Sequence, residues 1–227
     1  MEEKKEIIQT HEITKRFNGT TAVEDLSFSV EEGTIFGFIG PSGSGKTTTI
    51  RMLTGYYRPT EGELSVFGSS PAEFSRSERE RIGYLPQLFG LYPNLTVWEN
   101  LNFAASLYGL PLFRKRRLFE ELDFVELRDA RGKLARDLSA GMQRRLNLAA
   151  TLLHKPDLIF LDEPTAGVDP VLRRKFWDHF RHLKADGRTL FITTQYVSEA
   201  IYCDLVALID RGRLVIINTP AMLRREA

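Results

Sequence analysis

The octapeptide GPSGSGKT, at residues 40–47, is the most informative stretch of this 227-residue chain. It fits the pattern G-x-x-x-x-G-K-[ST], whose glycines let the backbone curl until several N–H groups point at one oxyanion. An apolar run precedes it at residues 34–39, and a helical pattern follows from Thr47 to Leu53, adding the positive end of a helix. We predict that Lys46 reaches the β- and γ-phosphates of a nucleotide and that the Thr47 hydroxyl ligates Mg²⁺.

Similar apolar runs recur at residues 158–161, 190–193 and 205–209. Continuous rather than alternating apolar runs are typical of a parallel sheet that is covered on both faces. The N-terminal third, with an alternating run at residues 26–30, predicts an antiparallel part of the sheet. Helical spacing dominates between about Thr96 and Leu153. The pattern therefore predicts an α/β fold with a mostly parallel sheet and a helical insertion.

A pair of acidic residues, Asp162 and Glu163, ends the apolar run LIFL. Parallel strands deliver the residues at their carboxyl ends to the ligand crevice. Asp162 is suited to holding Mg²⁺ through its water shell. Glu163 faces the opposite side of the strand and is suited to polarising a water molecule.

Composition and charge exclude several classes of protein. Lys and Arg total 31 against 30 Asp and Glu, a balance that disfavours non-specific nucleic-acid binding. The single cysteine, Cys203, excludes an internal disulfide. The charged start carries no secretory signal, and every apolar run is too short to cross a bilayer. The densest basic run, residues 114–117, we interpret as an exposed helix face; contact with anionic lipid or nucleic acid is the alternative.

A further segment, LSAGMQ at residues 138–143, gives the chain a family resemblance. It resembles the signature, usually LSGGQ, of the nucleotide-binding subunits of ATP-binding-cassette (ABC) transporters. Gln87 in YLPQ is similar to the family's glutamine loop, and Asp169 matches the loop that crosses its dimer interface. Phe17 matches the aromatic residue that stacks on adenine. Gln195, in TTQY, occupies the switch position.

Three positions depart from the usual pattern of the family. Ala140 replaces a signature glycine, Met142 replaces the final signature glutamine, and Gln195 stands in place of a histidine. These variants are similar to those of ABC-2-type exporter ATPases, including drug-resistance types. Glutamine can donate a hydrogen bond to a γ-phosphate oxygen but, unlike histidine, cannot become positively charged. We therefore expect this substitution to affect the turnover rate more than nucleotide binding.

The resemblance implies a P-loop NTPase fold in a single domain, residues 1–227, with a RecA-like core at about 1–87 and 157–227 and a helical subdomain at about 94–153. It also implies two subunits that face head to tail, with ATP between the phosphate loop of one and the signature of the other. The implied nucleotide contacts are Phe17, Gly40, Ser42, Gly43, Ser44, Gly45, Lys46, Thr47, Thr48, Ser139 and Gly141.

The resemblance further assigns roles in catalysis and in metal binding. Glu163, Lys46, Gln195 and Gln87 would act in hydrolysis, and Thr47, Gln87 and Asp162 would hold Mg²⁺. The implied partners are a transmembrane permease subunit and a second nucleotide-binding subunit, identical or different, with no nucleic acid. The implied location is cytoplasmic, on the inner face of the cell membrane.

Several alternatives stay open at this point. One is a cassette ATPase of translation or DNA repair; another is a small-molecule kinase, which would leave residues 138–143 unexplained. Four apolar residues after Gln87 predict either a groove for a helix of the membrane partner or a packed internal loop: Phe89, Leu91, Tyr92 and Leu95. We expect no accessory domain after Pro220.

Overall fold

The computed structural model describes residues 5–87 and 90–226, which form two sheets and a set of helices. The strands are β1 (Glu6–Phe17), β2 (Thr20–Glu31), β3 (Ile35–Ile39), β4 (Glu61–Val66), β5 (Ile82–Leu85), β6 (Leu158–Asp162), β7 (Thr189–Thr194), β8 (Leu205–Asp210) and β9 (Arg213–Asn218). The α-helices are α1 (Lys46–Leu53), α2 (Arg76–Glu80), α3 (Val97–Leu107), α4 (Lys115–Phe124), α5 (Ala140–Leu152), α6 (Pro170–Ala185) and α7 (Pro220–Glu226). Short 3₁₀ segments lie at Pro71–Glu73, Ala135–Asp137 and Val197–Tyr202.

The larger sheet has the strand order β5-β6-β7-β3-β8-β9. Its strands are parallel from β5 to β8, and only the edge strand β9 runs antiparallel to its neighbour. Every residue of β3, β6 and β7 is buried, because the sheet is covered on both faces. The continuous apolar runs therefore mark parallel strands, as predicted.

The second sheet, β2-β1-β4, is antiparallel and packs over one face of the first. Phe28 of β2 lies 5.5 Å from Phe36 of β3, between ring centres, and Phe36 lies 5.3 Å from Phe191 of β7. On the opposite face, α6 buries Trp177 and Phe180 against Ile159 and Ile192. The α/β class with an antiparallel N-terminal part is confirmed.

Helices α3, α4 and α5 pack around an apolar cluster of their own, which includes Leu101, Leu122 and Leu146. A reciprocal cap begins α3: the Thr96 hydroxyl accepts from the Glu99 N–H, and the Glu99 carboxylate accepts from the Thr96 N–H. Between Thr96 and Leu153 the chain forms helices and turns with one isolated bridge, Thr96 to Leu134. The helical prediction for this stretch is confirmed.

The basic run at residues 114–117, which opens α4, is only partly exposed, whereas the sequence predicted an exposed face. Arg114 is 9% exposed and donates to Asn102 Oδ1 (2.8 Å) and to the carbonyl oxygens of Leu110 and Asn102 (3.0 Å each). Its guanidinium therefore closes the α3–α4 turn, whereas Lys115 and Arg116 are exposed. Among the described residues, no helix has the length and hydropathy needed to span a membrane.

Candidate functional site

The loop at residues 40–45 leaves the carboxyl end of β3 and forms the base of the site. Gly43 and Gly45 have φ angles of 79° and 101°, in the left-handed region that favours glycine. A Cβ on Gly45 would lie 2.6 Å from the Ala22 carbonyl oxygen, and one on Gly40 would lie 2.2 Å from that of Ile209. At Gly40 and Gly45 the loop therefore passes so close to other backbone that only glycine fits.

Helix α1 begins immediately after this loop, at Lys46. Its N-cap is Gly45, and within the described chain no side chain caps it. The N–H groups of a first helical turn have no partner inside the helix, so they point at whatever anion lies in front of them. The loop and the helix together thus form an anion site of the kind that takes a phosphate.

Lys46 lies inside the loop, with 5% of its surface exposed. Its Nζ donates to the carbonyl oxygens of Gly40 and Pro41, each at 2.8 Å, and lies 3.6 Å from Glu163 Oε1. The ammonium group is therefore already ordered at the mouth of the loop.

Asp162, the last residue of β6, is fully buried and accepts two hydroxyl hydrogen bonds. Thr47 Oγ1 donates to its Oδ2 at 2.7 Å, and Thr193 Oγ1 donates to its Oδ1 at 2.6 Å. The predicted pair Thr47 and Asp162 is thus in direct contact. Thr193, on the adjacent strand β7, is a contact that sequence reasoning missed.

Glu163 follows β6 with a φ of 53°, which is unusual for a residue with a side chain. Its N–H faces both the carbonyl oxygen and the Oγ1 of Thr193, each at 3.1 Å. The Glu163 carboxylate lies at the site with 14% of its side chain exposed. Backbone strain of this kind is found where the surroundings hold a functional side chain in one orientation.

These residues surround a small cavity of about 150 Å³. Its lining comprises Ala22, Ser42, Gly43, Gly45, Lys46, Thr47, Thr48, Gln87 and Glu163. The cavity therefore brings together most of the predicted phosphate, metal and hydrolysis residues. Seven other predicted residues lie outside its lining: Phe17, Gly40, Ser44, Ser139, Gly141, Asp162 and Gln195.

Phe17 is 37% exposed at the end of β1. Its ring meets that of Tyr57 edge to face, with centroids 5.1 Å apart, and Lys15 Nζ lies 5.2 Å from the Phe17 centroid. An exposed aromatic face beside a cation is suited to a flat, electron-rich ring such as a nucleobase. The sequence did not indicate that Tyr57 supports Phe17, because the two residues lie 40 positions apart.

The signature segment opens helix α5. Ser139 is exposed and caps the helix by accepting from the Met142 N–H at 3.3 Å. A Cβ on Gly141 would meet no atom of the described chain within 4 Å. The start of α5 is therefore an open surface, free to meet an anion from outside this copy of the chain.

Arg144, one turn further along α5, links the signature helix to β6. Its Nη2 donates to the Asp162 carbonyl oxygen at 3.0 Å. Burial lowers the pKa of Arg144, while the nearby Glu163 and Asp162 carboxylates oppose that shift. Sequence reasoning missed this contact, although a basic residue on the signature helix was a visible signal.

Gln195 and Asp169 occupy surface positions. Gln195 is exposed just beyond the end of β7. Asp169 caps α6 by accepting from the N–H groups of Leu172 (3.0 Å) and Val171 (3.1 Å), and the Leu172 hydrogen bond is the main cause of its lowered pKa. Neither residue reaches the cavity lining.

The loop after Gln87 matches each of the two predicted alternatives, an open groove and a packed loop, only in part. Phe89 lies outside the described residues. Leu91 packs against the apolar cluster of α3 to α5, whereas Tyr92 is 50% exposed with its ring edge to face against Phe103. The stretch is therefore partly packed and partly open.

The donor set fits a nucleotide with its metal ion. Within the described residues, the buried Ser44 Oγ has no hydrogen-bond partner, as expected of a donor that faces a phosphate. A hydroxyl, an amide and a carboxylate suit Mg²⁺, which prefers oxygen ligands and keeps several from water and phosphate. The described segments hold no cluster of three His, Cys, Asp or Glu side chains placed to bind a metal by themselves.

Comparison with known families gives the same answer as this geometry. The family described as ABC transporter matches residues 23–166, which include the phosphate loop, the signature and the acidic pair. The chain belongs to the ABC transporter family. ATP hydrolysis is the general activity of such ABC ATPases, and the expected resemblance is confirmed.

Curated relatives of this member of the family include proteins named as exporter or resistance subunits. It is 40% identical over 225 residues to the probable multidrug ABC transporter ATP-binding protein YbhF of Escherichia coli, which covers 97% of this chain and 38% of YbhF. It is 42% identical to the daunorubicin/doxorubicin resistance ATP-binding protein DrrA of Streptomyces peucetius, covering 96% of this chain and 66% of DrrA. The chain thus spans little more than a third of YbhF.

Solved cassettes share its architecture closely. An ATP-binding subunit of an ABC transporter superposes with a TM-score of 0.87 at 28% identity, covering 97% of this chain and 92% of that one. A bacterial ABC transporter cassette solved as a dimer gives 0.86 at 26% identity, covering 93% and 98%. The P-loop NTPase fold of this cassette is therefore confirmed.

Proposed function

We propose that this chain is the ATP-binding and ATP-hydrolysing subunit of an exporter, working through a separate transmembrane partner by ATP-driven closure of two cassettes. The observation that carries the proposal is the division of the site. The cavity is lined by residues of the phosphate loop and by Glu163, with Asp162 buried in contact with Thr47, while Ser139 and Gly141 present an open helix start elsewhere on the surface. A γ-phosphate held by one copy supplies the anion that the α5 helix of a second copy requires.

The phosphate loop binds the triphosphate through its N–H groups and Lys46. Lys46 Nζ has three N–H donors, of which the carbonyl oxygens of Gly40 and Pro41 accept two, so a third is left for a phosphate oxygen. Mg²⁺, when bound, would be held by Thr47, Asp162 and Gln87 and would neutralise negative charge on the phosphates. Phe17 stacks on the base.

Hydrolysis requires a water molecule in line with the γ-phosphorus. Glu163 orients and polarises this water, because its carboxylate lies at the cavity 3.6 Å from Lys46. Gln195 donates to a γ-phosphate oxygen once the partner cassette closes over the site. Lys46 and the loop N–H groups stabilise the charge of the transition state.

Coupling to transport runs through Gln87 and the helices that follow it. Gln87 lines the cavity and stands directly before the helical subdomain of about 94–153. A change at the γ-phosphate is thus passed to the surface that contacts a permease subunit. With a permease subunit as the partner, the proposed location is the inner face of the cell membrane.

Export is favoured over import by two lines of support. The signature carries Ala140 and Met142, the variant form noted above, and the relatives include proteins named for multidrug transport, drug resistance and Nod factor export. The cargo is set by the membrane partner and stays outside this chain.

The decisive experiment is the variant Glu163→Gln. We expect it to bind ATP, to hydrolyse it at a small fraction of the normal rate and to accumulate as an ATP-bound dimer in light scattering. Glu120→Gln, an exposed carboxylate on α4, is the matched control. Near-normal turnover of Glu163→Gln would remove its assigned role, and an ATP-bound monomer would contradict the shared site.

Two further measurements separate the alternatives. Copurification with a hydrophobic multi-span subunit from native membranes supports the exporter, whereas copurification with ribosomes or DNA supports the cassette ATPases of translation or repair. A turnover that depends on an added small-molecule acceptor would indicate a kinase instead.

A further inference from the structure

A buried charged cluster lies behind the site and joins two segments that leave it. Glu199, in the 3₁₀ segment Val197–Tyr202, is 1% exposed and lies four residues after Gln195 in the chain. Thr165 is 0% exposed and lies in the loop that follows Glu163. Thr165 Oγ1 donates to Glu199 Oε1 at 2.7 Å.

Arg173, on the first turns of α6, contacts the same two segments. Its Nε lies 3.7 Å from Glu199 Oε1, and its Nη2 donates to the Val168 carbonyl oxygen at 3.1 Å. Its guanidinium lies 4.9 Å from the ring centre of Tyr196, the residue after Gln195. One side chain therefore touches the segment that starts at Glu163 and the segment that starts at Gln195.

Stability alone is a poor reason for this arrangement. Transferring two charges from water into the protein interior commonly costs more free energy than their attraction regains. Well-packed apolar side chains in the same place would often stabilise the fold equally well. Within the described residues, Arg173 Nε and Glu199 Oε2 make no direct hydrogen bond. The ion pair therefore has an unused donor and an unused acceptor, so it can tighten without recruiting another side chain.

We propose that Glu199, Thr165 and Arg173, here named the Glu199 clamp, are positioning residues that hold Glu163 and Gln195 in register for hydrolysis. The clamp touches neither the phosphate loop nor the base site. It rests on the proposed function for the roles of Glu163 and Gln195. Its effect falls on the rate of the chemical step and not on nucleotide affinity.

The kinetic test uses Thr165→Val, which keeps the side-chain shape and removes the donated hydrogen bond. We expect kcat to fall by about 10-fold or more, since small displacements of catalytic groups carry penalties of this size. The dissociation constant for a fluorescent ATP analogue should change by less than about 3-fold, because Lys46 and Thr47 keep their contacts. Thr165→Ser should restore kcat, and Arg174→Gln, an exposed neighbour of Arg173, is the control.

A second readout follows the clamp without relying on activity. Hydrogen exchange in Thr165→Val should quicken at residues 195–202, which lie on the other side of the clamp, as well as at residues 164–169. Glu199→Gln should quicken exchange at residues 164–169 in the same manner. A side chain that only fills space would disturb its own segment and leave the opposite one unchanged.

The outcomes separate the clamp from the wider proposal. Normal kcat in Thr165→Val, or exchange confined to residues 164–169, would overturn the clamp. If the unaltered chain hydrolyses no ATP with its transmembrane partner present, the proposed function fails. The hydrogen-exchange experiment still shows whether the clamp couples residues 164–169 to residues 195–202. If Glu199→Gln does not fold, the comparison of Thr165→Val with Thr165→Ser is sufficient to test the clamp.

Discussion

Thr193 holds both acidic residues at the end of β6, although it sits on the neighbouring strand. It donates to Asp162 Oδ1 at 2.6 Å and stands opposite Asp162 in the β6–β7 pairing. It also faces the Glu163 N–H with its carbonyl oxygen and its hydroxyl. One buried residue therefore helps to orient the Asp162 carboxylate and to fix the backbone of Glu163.

Replacing Thr193 with valine should cost about 1–3 kcal/mol, the range for leaving a buried partner of a charged hydrogen bond unsatisfied. We expect weaker Mg²⁺-dependent nucleotide binding as well, because Asp162 loses one of the two hydroxyl contacts that orient it. Denaturant unfolding and a Mg²⁺ titration of analogue binding measure the two effects. Thr193→Ser keeps the hydroxyl, so a serine variant as weak as valine would contradict this explanation.

Gln195→His tests the departure at the switch position. We expect the ATPase rate to be kept or raised, because an imidazole can donate the same hydrogen bond to a γ-phosphate oxygen. The variant should also gain a pH dependence near about 6.5, where a free histidine titrates, that the natural glutamine lacks. A rate–pH profile of both proteins measures this. Complete loss of activity would show that the site is adapted to glutamine.

Single residues show where sequence reasoning works and where it stops. Lys46, Thr47, Asp162 and Glu163 were predictable, because each lies within a short motif whose chemistry fixes its role. Thr193 was not predictable, since its partner follows from the register of two strands far apart in the chain. Arg114 was predicted to be exposed, and its burial depends on a turn that composition does not reveal.

At the scale of elements, the junction of β3 and α1 relies on glycine in two distinct ways. Gly43 and Gly45 both have a positive φ, but only Gly45 is also pressed against other backbone. Gly45→Ala should therefore destabilise the chain more than Gly43→Ala, whose cost is the left-handed strain of about 1 kcal/mol. Chemical unfolding in the absence of nucleotide ranks the two variants. Equal losses would contradict the close contact with Ala22.

Helix α4 carries a partly buried acid, Glu121, that gives the chain a pH dependence. Burial raises the pKa of Glu121 to about 7, opposed by Arg117, and Oε2 has no hydrogen-bond partner within the described chain. Between its unfolded pKa of about 4.3 and about 7, the folded state holds a proton that the unfolded state has lost. The free energy of unfolding should therefore fall as pH rises through this window.

Glu121→Gln removes this titration. We expect it to match the natural protein near pH 4 and to exceed it in stability at pH 8 by up to about 3 kcal/mol. Unfolding curves at several pH values measure the difference, with the exposed Glu120→Gln as the control. A gap between Glu121→Gln and the natural chain that does not change with pH would contradict the raised pKa.

The elements themselves were predictable to different degrees. Strands β3, β6, β7 and β8 can be recognised in the sequence as apolar runs, because a strand that is covered on both faces consists mostly of apolar residues. Strand β1 gives no such signal, since polar side chains alternate along it and its pairing is interrupted by several register shifts. Its antiparallel partner β4 is exposed over half its length and reads as a loop.

At the scale of the whole molecule, the proposed head-to-tail arrangement of two copies makes a prediction about mixtures of variants. Lys46→Ala removes the loop half of a site, and Ser139→Arg obstructs the signature half. Each variant alone forms no intact site, but a mixed pair has one site in which both halves are natural. A mixture should regain about a quarter of normal ATPase activity if the copies pair at random. A mixture as inactive as its components would contradict the shared site.

The early ordering of Lys46 has a consequence for how the empty cassette meets its ligand. A lysine free in solvent loses roughly 1.5–2 kcal/mol of side-chain entropy when it is immobilised. Here the two carbonyl contacts of Nζ order the Lys46 side chain when the chain folds, so this entropy is already lost before a ligand binds. An arriving triphosphate thus encounters a receptor whose cation is preorganised, and more of the attraction between ammonium and phosphate remains as affinity.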